Sequence, residues 1–334
     1  MPLSVLTHAA FMDTVPSPET ATAPRGRARR LRPSLIVGAL IFAAFAAFVQ
    51  WYLGWPALMA PWARLPLAAT GTAAALMAAS YGVRALRLYD YFSSMHGRFP
   101  LALKLTLQHN AWNNLLPMRS GEASFPILMA RYFGTPAAES LPALLWFRVL
   151  DAHTLAAAAL GALGGLWLNR GAAAALFVIW MSLPWLLYRL GGRHAVLLDA
   201  RPVHGRWLRT WRRLLAGLPL ARGAFWRAWA WTGINWVVKF AALVWLLRQF
   251  QPMPLAAAIL GVAAGDATSV LPIHGVAGLG TYEAGIVAGL AASGVSPGAT
   301  AALKGAIDLH LFVLSAAVLG GALSFFIPAG RRRG

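Results

Sequence analysis

Apolar runs of bilayer length, most of them flanked by short basic segments, decide the class of this sequence before any single motif is read. They cover roughly residues 34–54, 65–91, 137–168, 172–188, 225–250 and 299–327. Each is close to or above the ~20 residues that a helix needs to cross a hydrocarbon core. In lipid a backbone must pair its own polar groups, so such runs fold as helices. Composition agrees: 59% of the 334 residues are apolar and 12% charged, with mean hydropathy +0.60. Those values belong to membrane proteins. With no cysteine there is no disulfide framework and no thiolate chemistry or thiolate metal site. The expected fold is an all-α polytopic membrane protein, with about six full spans and two re-entrant helical hairpins arranged as an inverted repeat.

A net charge of +19 would suit a nucleic-acid binder, but the arginines flank apolar runs instead of forming one patch. That is the positive-inside pattern, with attraction to anionic lipid at the inner leaflet, and it argues against a nucleic-acid partner. Residues 1–33 form a polar tail ending in a collar of Arg25, Arg27, Arg29, Arg30 and Arg32. The charge stands where no cleaved signal peptide would put it, so an uncleaved first span is expected. The remainder, 34–334, reads as a single transmembrane domain. Its main polar loop, 189–222, is rich in arginine with one acid, Asp199. Inside it Trp207, Leu208, Trp211, Leu214, Leu215 and Leu218 keep helical spacing, as a helix lying on the inner leaflet would. Both termini and this loop are placed in the cytosol of a bacterial inner membrane, and Arg84 and Arg87 are expected to snorkel to the inner surface.

Two stretches break the apolar pattern. Leu271-Pro272-Ile273-His274-Gly275-Val276-Ala277-Gly278-Leu279-Gly280-Thr281-Tyr282-Glu283 carries a proline, closely spaced glycines, a histidine and a glutamate between apolar flanks. Proline removes a donor and glycine lets the backbone bend, which suits a re-entrant hairpin facing protein or a water-filled cavity. The second stretch, 101–133, contains His109, Asn110, Asn113, Asn114, Pro117, Arg119 and Glu122, too many polar groups for one lipid-facing helix. The two are spaced alike. Fourteen residues separate Glu122 from Pro136, and fourteen separate Glu283 from Pro297. Each interval ends in a Gly-x-(x)-Pro break, and each is followed by Asp-x-His, Asp151-Ala-His153 and Asp308-Leu-His310. A duplicated unit follows, about 65–168 and 225–327, with the hairpins entering from opposite sides.

Intramembrane ionisable residues are costly and mark a pathway or a pairing. Of ten acids, five fall within or beside these segments: Glu122, Asp151, Asp266, Glu283 and Asp308. Arg148 with Asp151, and Lys304 with Asp308, share a helix face and can form internal ion pairs. Asp and His two apart point roughly 200° from one another, so neither Asp-x-His is a metal site. Lys239 lies mid-span and can meet Asp266 or Glu283. Asn113 and Asn114 can bond unwound backbone or a polar headgroup, and His274 sits in the second bend as another candidate contact. The glycine order at 275–280 is not a dinucleotide fingerprint, and no H-E-x-x-H, G-x-S-x-G or P-loop occurs. No cofactor, no metal and no ATP-driven step are expected.

The run Pro272…Gly278-Leu279-Gly280-Thr281-Tyr282-Glu283 to Gly294-Val295-Ser296-Pro297, together with Leu116-Pro117-Met118-Arg119-Ser120-Gly121-Glu122 and Arg148, resembles the lysylphosphatidylglycerol synthase transmembrane family. The resemblance implies a flippase-like fold that moves lipids or lipid-linked groups between leaflets, with phospholipid, hopanoid and polyprenyl-linked lipids as candidates. Lysyl transfer, which belongs to a soluble domain fused to some members, is expected to be absent. Where the family's last span usually carries arginine, this chain has Lys304-Gly305-Ala306-Ile307-Asp308.

The expectation is therefore a lipid translocator and not an enzyme. Arg119, Arg148 and Lys304 would draw in the headgroup, and Glu122 and Glu283 would set selectivity or couple to protons. Asp151, Asp308, Asn113, Asn114, Lys239 and His274 complete the candidate substrate-binding set. The alternatives are a membrane-embedded transferase or hydrolase with Glu283 or His310 as base, or an accessory scaffold for lipid synthesis. Gly161-x-x-Gly164-Gly165 and Gly285-x-x-x-Gly289 can pack within one chain or build a homo-oligomer.

Overall fold

The computed structural model describes Ala43 and residues 46–199, 222–269, 276–295 and 298–328, with side chains described at all of these except 117–119, 187, 190–199 and 276. The N-terminal tail, the expected interfacial helix, Pro272 and His274 lie outside the described residues, as does the side chain of Arg119.

No strand occurs among the described residues. The helices are α1 (Trp55–Arg64), α2 (Leu67–Tyr91), α3 (Phe99–Leu115), α4 (Ser124–Phe133), α5 (Ala137–Trp167), α6 (Arg170–Asp199), α7 (Arg222–Phe250), α8 (Leu255–Thr268), α9 (Thr281–Ala292) and α10 (Ala299–Leu323). Three of the described helices are long and apolar enough to cross a membrane: Ala137–Trp167, Arg222–Phe250 and Ala299–Phe326. The outer surface is that of a membrane protein. Leu67 is 88% exposed, Val237 70% and Phe326 84%, an apolar exposure that water would not tolerate over so many side chains.

Both punctuated stretches are broken pairs of helices. α3 and α4 are separated by a 3-10 segment, Pro117–Ala123, and α8 and α9 by the break that contains the 3-10 turn Val276–Gly278. Proline at 117 cannot continue the ladder of α3. Ala277 takes φ 54 and is the one non-glycine residue with positive φ among the described residues. L-residues pay for that conformation in Cβ–carbonyl contact, so the tip of the second hairpin is held there by its surroundings.

The units pack reciprocally. α2 lies against α7, the first arm of each hairpin lies against the last span of the other unit (α3 on α10, α8 on α5), and the segments 117–123 and 276–278 touch. Exchange of partners in this way is what a two-fold relation between duplicated units produces. The hairpin of α8 and α9 is packed backbone to backbone. A Cβ placed on Gly289 would lie 2.4 Å from the carbonyl oxygen of Leu260, and one on Gly285 2.7 Å from that of Ala264. The glycines at 285 and 289 thus serve packing within the chain, as does Gly164, which approaches Ala173 of α6. Gly289→Val should force the arms apart and cost at least ~1–3 kcal/mol. Thermal unfolding in detergent would show it as a lowered midpoint, whereas Gly165→Ala, with nothing within 4 Å of its added methyl, should not lower it.

Several local expectations change. Trp55–Arg64, left between the two expected spans 34–54 and 65–91, is a helix of its own; Gly54, at φ 75, turns the chain into it. α6 continues to Asp199, eleven residues past the expected end of its span. At 134–136, Gly134 ends α4 in the left-handed conformation. Pro136 is the N-cap of the next helix, and the Thr135 hydroxyl is engaged with Ser94 Oγ at 3.0 Å.

Candidate functional site

The touching hairpin tips and the spans around them enclose a polar cavity of about 70 Å³. Arg84 of α2, Asn110, Asn113 and Asn114 of α3, Arg148 and Asp151 of α5, and Trp236 and Lys239 of α7 line it. Asp266 of α8, Ser269 just after it, Ala277, Tyr282 of α9, and His310 and Val313 of α10 complete the wall. Residues from both units converge here because the reciprocal packing brings the polar face of each span to the centre.

Asp151 is the hub. It is 5% exposed, and its Oδ1 accepts from Arg87 Nη1 at 2.9 Å and from Trp236 Nε1 at 3.1 Å, while Oδ2 faces Arg148 Nη1 at 3.4 Å. Arg148 also pairs with Glu122 at 2.6 Å. Arg87 donates further to Thr232 Oγ1 at 3.0 Å and stacks over Phe147, with 4.5 Å between the guanidinium carbon and the ring centre. The expected Arg148–Asp151 pair therefore exists, but as the weaker contact of a four-residue chain of charges.

In the second unit Glu283, 2% exposed, has two partners. Its Oε2 accepts the N–H of Gly280 at 2.8 Å, closing the first turn of α9, and its Oε1 lies 2.7 Å from His310 Nδ1. The Tyr282 and His310 rings lie against one another at a 35° tilt, with centres 4.5 Å apart. Lys239 Nζ pairs with Asp266 Oδ1 at 2.9 Å, the first of the two partners expected for it. The hairpin glutamate of each unit thus reaches the last span of its own unit, Glu122 to Arg148 and Glu283 to His310.

Three expectations fail. Lys304 and Asp308 form no ion pair; Asp308, 1% exposed, turns toward α1, where Trp62 Nε1 donates to its Oδ1 at 2.8 Å. Sharing a helix face was not enough, because the acid is claimed by a neighbour from another helix while Lys304 stays half-buried. The two Asp-x-His motifs are not equivalent: His153 stacks on Trp180 and bonds its backbone oxygen at 3.0 Å, away from the cavity. Arg84 and Arg87 do not reach the surface. Arg87 is 5% exposed, and Arg84 lines the cavity, donating to Asn110 Oδ1 at 2.9 Å.

Sequence reasoning missed Arg84 and Arg87 because each was weighed alone. The signal that could have found them is the polar stripe Ser80, Arg84, Arg87 at helical spacing, answered on α7 by Thr232, Asn235 and Lys239. Asn114 folds back to bond Asn110 O at 2.8 Å, and Asn113 Oδ1 is buried with no partner.

Arg84 is the cavity cation with no ion-pair partner among the described residues. No carboxylate lies within 4 Å of it among the described residues, and its Nε is buried without an acceptor. A guanidinium kept in a membrane interior with only an amide oxygen for company is costly unless something anionic meets it. A planar five-donor group of this kind matches the oxygens of phosphate or carboxylate.

Beside the polar cavity lies an apolar one of about 760 Å³, between α1, α2, α3 and α10. Its wall includes Met59, Trp62, Met77, Leu107, Phe312 and Leu319. The two adjoin within a turn on three helices. Tyr81 faces the apolar and Arg84 the polar cavity on α2; Leu107 and Asn110 do so on α3, and Phe312 and Val313 on α10. Three residues along a helix are ~4.5 Å.

A family model described as the lysylphosphatidylglycerol synthase TM region matches residues 35–329 of the chain. No curated protein and no solved structure matches.

Proposed function

The chain belongs to the family of the lysylphosphatidylglycerol synthase TM region, and from that premise we propose that it carries a lipid with an anionic headgroup between leaflets, without nucleotide hydrolysis. The observation that carries this reading is the pair of adjoining cavities: one polar and built around the unpaired Arg84, the other apolar and large enough for a hydrophobic tail. An amphipathic lipid has the same two parts in the same order. Phospholipid, hopanoid and polyprenyl phosphate chemistry all satisfy it. Arg84 takes the anion, with Asn110 and Asn113 as neutral partners. Arg148, Lys239, Asp151 and Asp266 set the surrounding field from within their own ion pairs. Trp62, held by Asp308, closes one side of the tail cavity.

The test is reconstitution into liposomes with fluorescent lipids of several headgroup classes and an external quencher that reads leaflet exchange. Exchange should be faster for anionic than for zwitterionic lipids. Ala74→Trp, which adds bulk to the apolar cavity from an exposed position on α2, should slow it about tenfold, equivalent to ~1.4 kcal/mol. Intact folded protein with no exchange of any lipid would overturn the reading. A change in lipid mass in the same vesicles would replace it with a lipid-modifying enzyme, in which the His310–Glu283 pair supplies a base.

A further inference from the structure

The second hairpin holds a buried carboxylate–imidazole pair that no part of the headgroup reading requires. Glu283 and His310 are 2% and 4% exposed and 2.7 Å apart. Glu283 is N3 of α9, and its other oxygen accepts the Gly280 N–H, which fixes the carboxyl group against the first turn of the helix. That carboxylate fixes His310 through Nδ1. The opposite ring nitrogen, Nε2, has no hydrogen-bond partner among the described residues, and His310 is part of the wall of the polar cavity. A histidine oriented by a carboxylate on one nitrogen and open on the other is the arrangement that receives and gives up a proton.

The charges around the cavity say when it would do so. On α2 stand Arg84 and Arg87, on α5 Arg148 and Asp151, on α7 Lys239, on α8 Asp266, on α9 Glu283 and Tyr282, and in the first hairpin His109 and Glu122. His109 Nδ1 is taken by the Ser124 hydroxyl, and Tyr282 keeps a buried hydroxyl without a partner. With the histidines neutral, the four described basic side chains, Arg84, Arg87, Arg148 and Lys239, are balanced by the four described carboxylates, Glu122, Asp151, Asp266 and Glu283. A monoanionic headgroup entering this balanced site leaves one negative charge uncompensated in low dielectric, which is expensive. A proton on His310 Nε2 removes that excess and turns the Glu283–His310 pair from an anion into a neutral ion pair. His109 is not part of the wall of that cavity, whereas His310 is.

We infer that the Glu283–His310 pair is a proton-binding site that takes up one proton for each anionic headgroup the cavity accepts, making translocation an electroneutral movement of lipid anion and proton together. This rests on the translocation reading above and supplies its driving force. Reciprocity follows: protonation favours headgroup binding as much as the headgroup favours protonation.

The experiment uses the full chain in phosphatidylcholine vesicles containing fluorescent phosphatidylglycerol, with a pH-sensitive dye inside and a pH step imposed across the membrane. Phosphatidylglycerol should accumulate in the leaflet on the alkaline side, about tenfold per pH unit for one proton per lipid, and the dye should report matching proton movement. Protein-free vesicles should do neither. In parallel, ¹⁵N-histidine spectra of the wild type in nanodiscs, with His310→Gln used only to assign the resonance, should show His310 gaining a proton when phosphatidylglycerol replaces phosphatidylcholine. Headgroup-dependent exchange that ignores the pH step would overturn the inference and leave the translocation reading standing. A response to the pH step with an unmoved His310 resonance would overturn this site as its origin. Absence of exchange for every lipid would overturn both.

Discussion

Replacing Arg84 by glutamine should slow exchange of anionic lipid by ~10- to 100-fold and leave the protein folded. The size follows from one charge-assisted contact to the substrate, about 1.5–3 kcal/mol, at 1.4 kcal/mol per tenfold. The retained fold follows from what Arg84 does not do. It neutralises no acid among the described residues, and its one hydrogen-bond partner is the amide oxygen of Asn110, which a glutamine amide can still reach or a water replace. Zwitterionic lipid should lose much less, so the ratio of the two rates falls. Size-exclusion behaviour and thermal midpoint of the variant should match the wild type. An unchanged ratio of rates in well-folded Arg84→Gln protein would remove Arg84 from headgroup recognition.

Asp151→Leu should have the opposite character, destabilising the fold by ~3–5 kcal/mol before transport is considered. Its carboxylate answers Arg87, Trp236 and Arg148. Removing it strands the 5%-exposed Arg87 guanidinium with only the Thr232 hydroxyl and the Phe147 ring, while Arg148 keeps Glu122. Adding Arg87→Met should recover most of the loss, since a buried pair replaced by apolar groups of similar size is often neutral or better. The double-mutant cycle should therefore show a coupling energy of several kcal/mol between 87 and 151, read from detergent unfolding curves. Near-additive losses would mean that the two charges do not hold one another. Arg84 and Arg87, one turn apart on α2, are thus separated by experiment into a group kept for a ligand and a group kept for the fold.

Much of this molecule was legible locally. The hairpin at 271–283 and its counterpart at 101–133 announce themselves because proline and glycine inside an apolar run have no use in a straight helix. The pairing of Lys239 with Asp266 was among two options, since few acids exist in the membrane segments and a buried lysine needs one. The opposite directions of Asp308 and His310 follow from 200° of helix rotation, and in the fold one turns to Trp62 and the other to Glu283. Less could be read where distance along the chain intervened. Lys304 and Asp308 looked like a pair because nothing local says that α1 would bring Trp62 to the acid across 246 residues. Arg87 looked like a snorkelling residue because its partner lies 64 residues away.

The sequence by itself determined that this chain is helical, membrane-embedded and interrupted twice within its apolar stretches, because hydropathy, proline and glycine chemistry and helical spacing act within a single turn or a single span. Only the tertiary structure decided which charge answers which, that Arg84 alone among the described cations lining the cavity is left without a carboxylate within 4 Å, and that an apolar cavity adjoins it. Those outcomes depend on the rotation and depth at which each helix is packed against the others, and in a medium where every polar side chain must find a partner or remain costly, that packing sets the chemistry of the site.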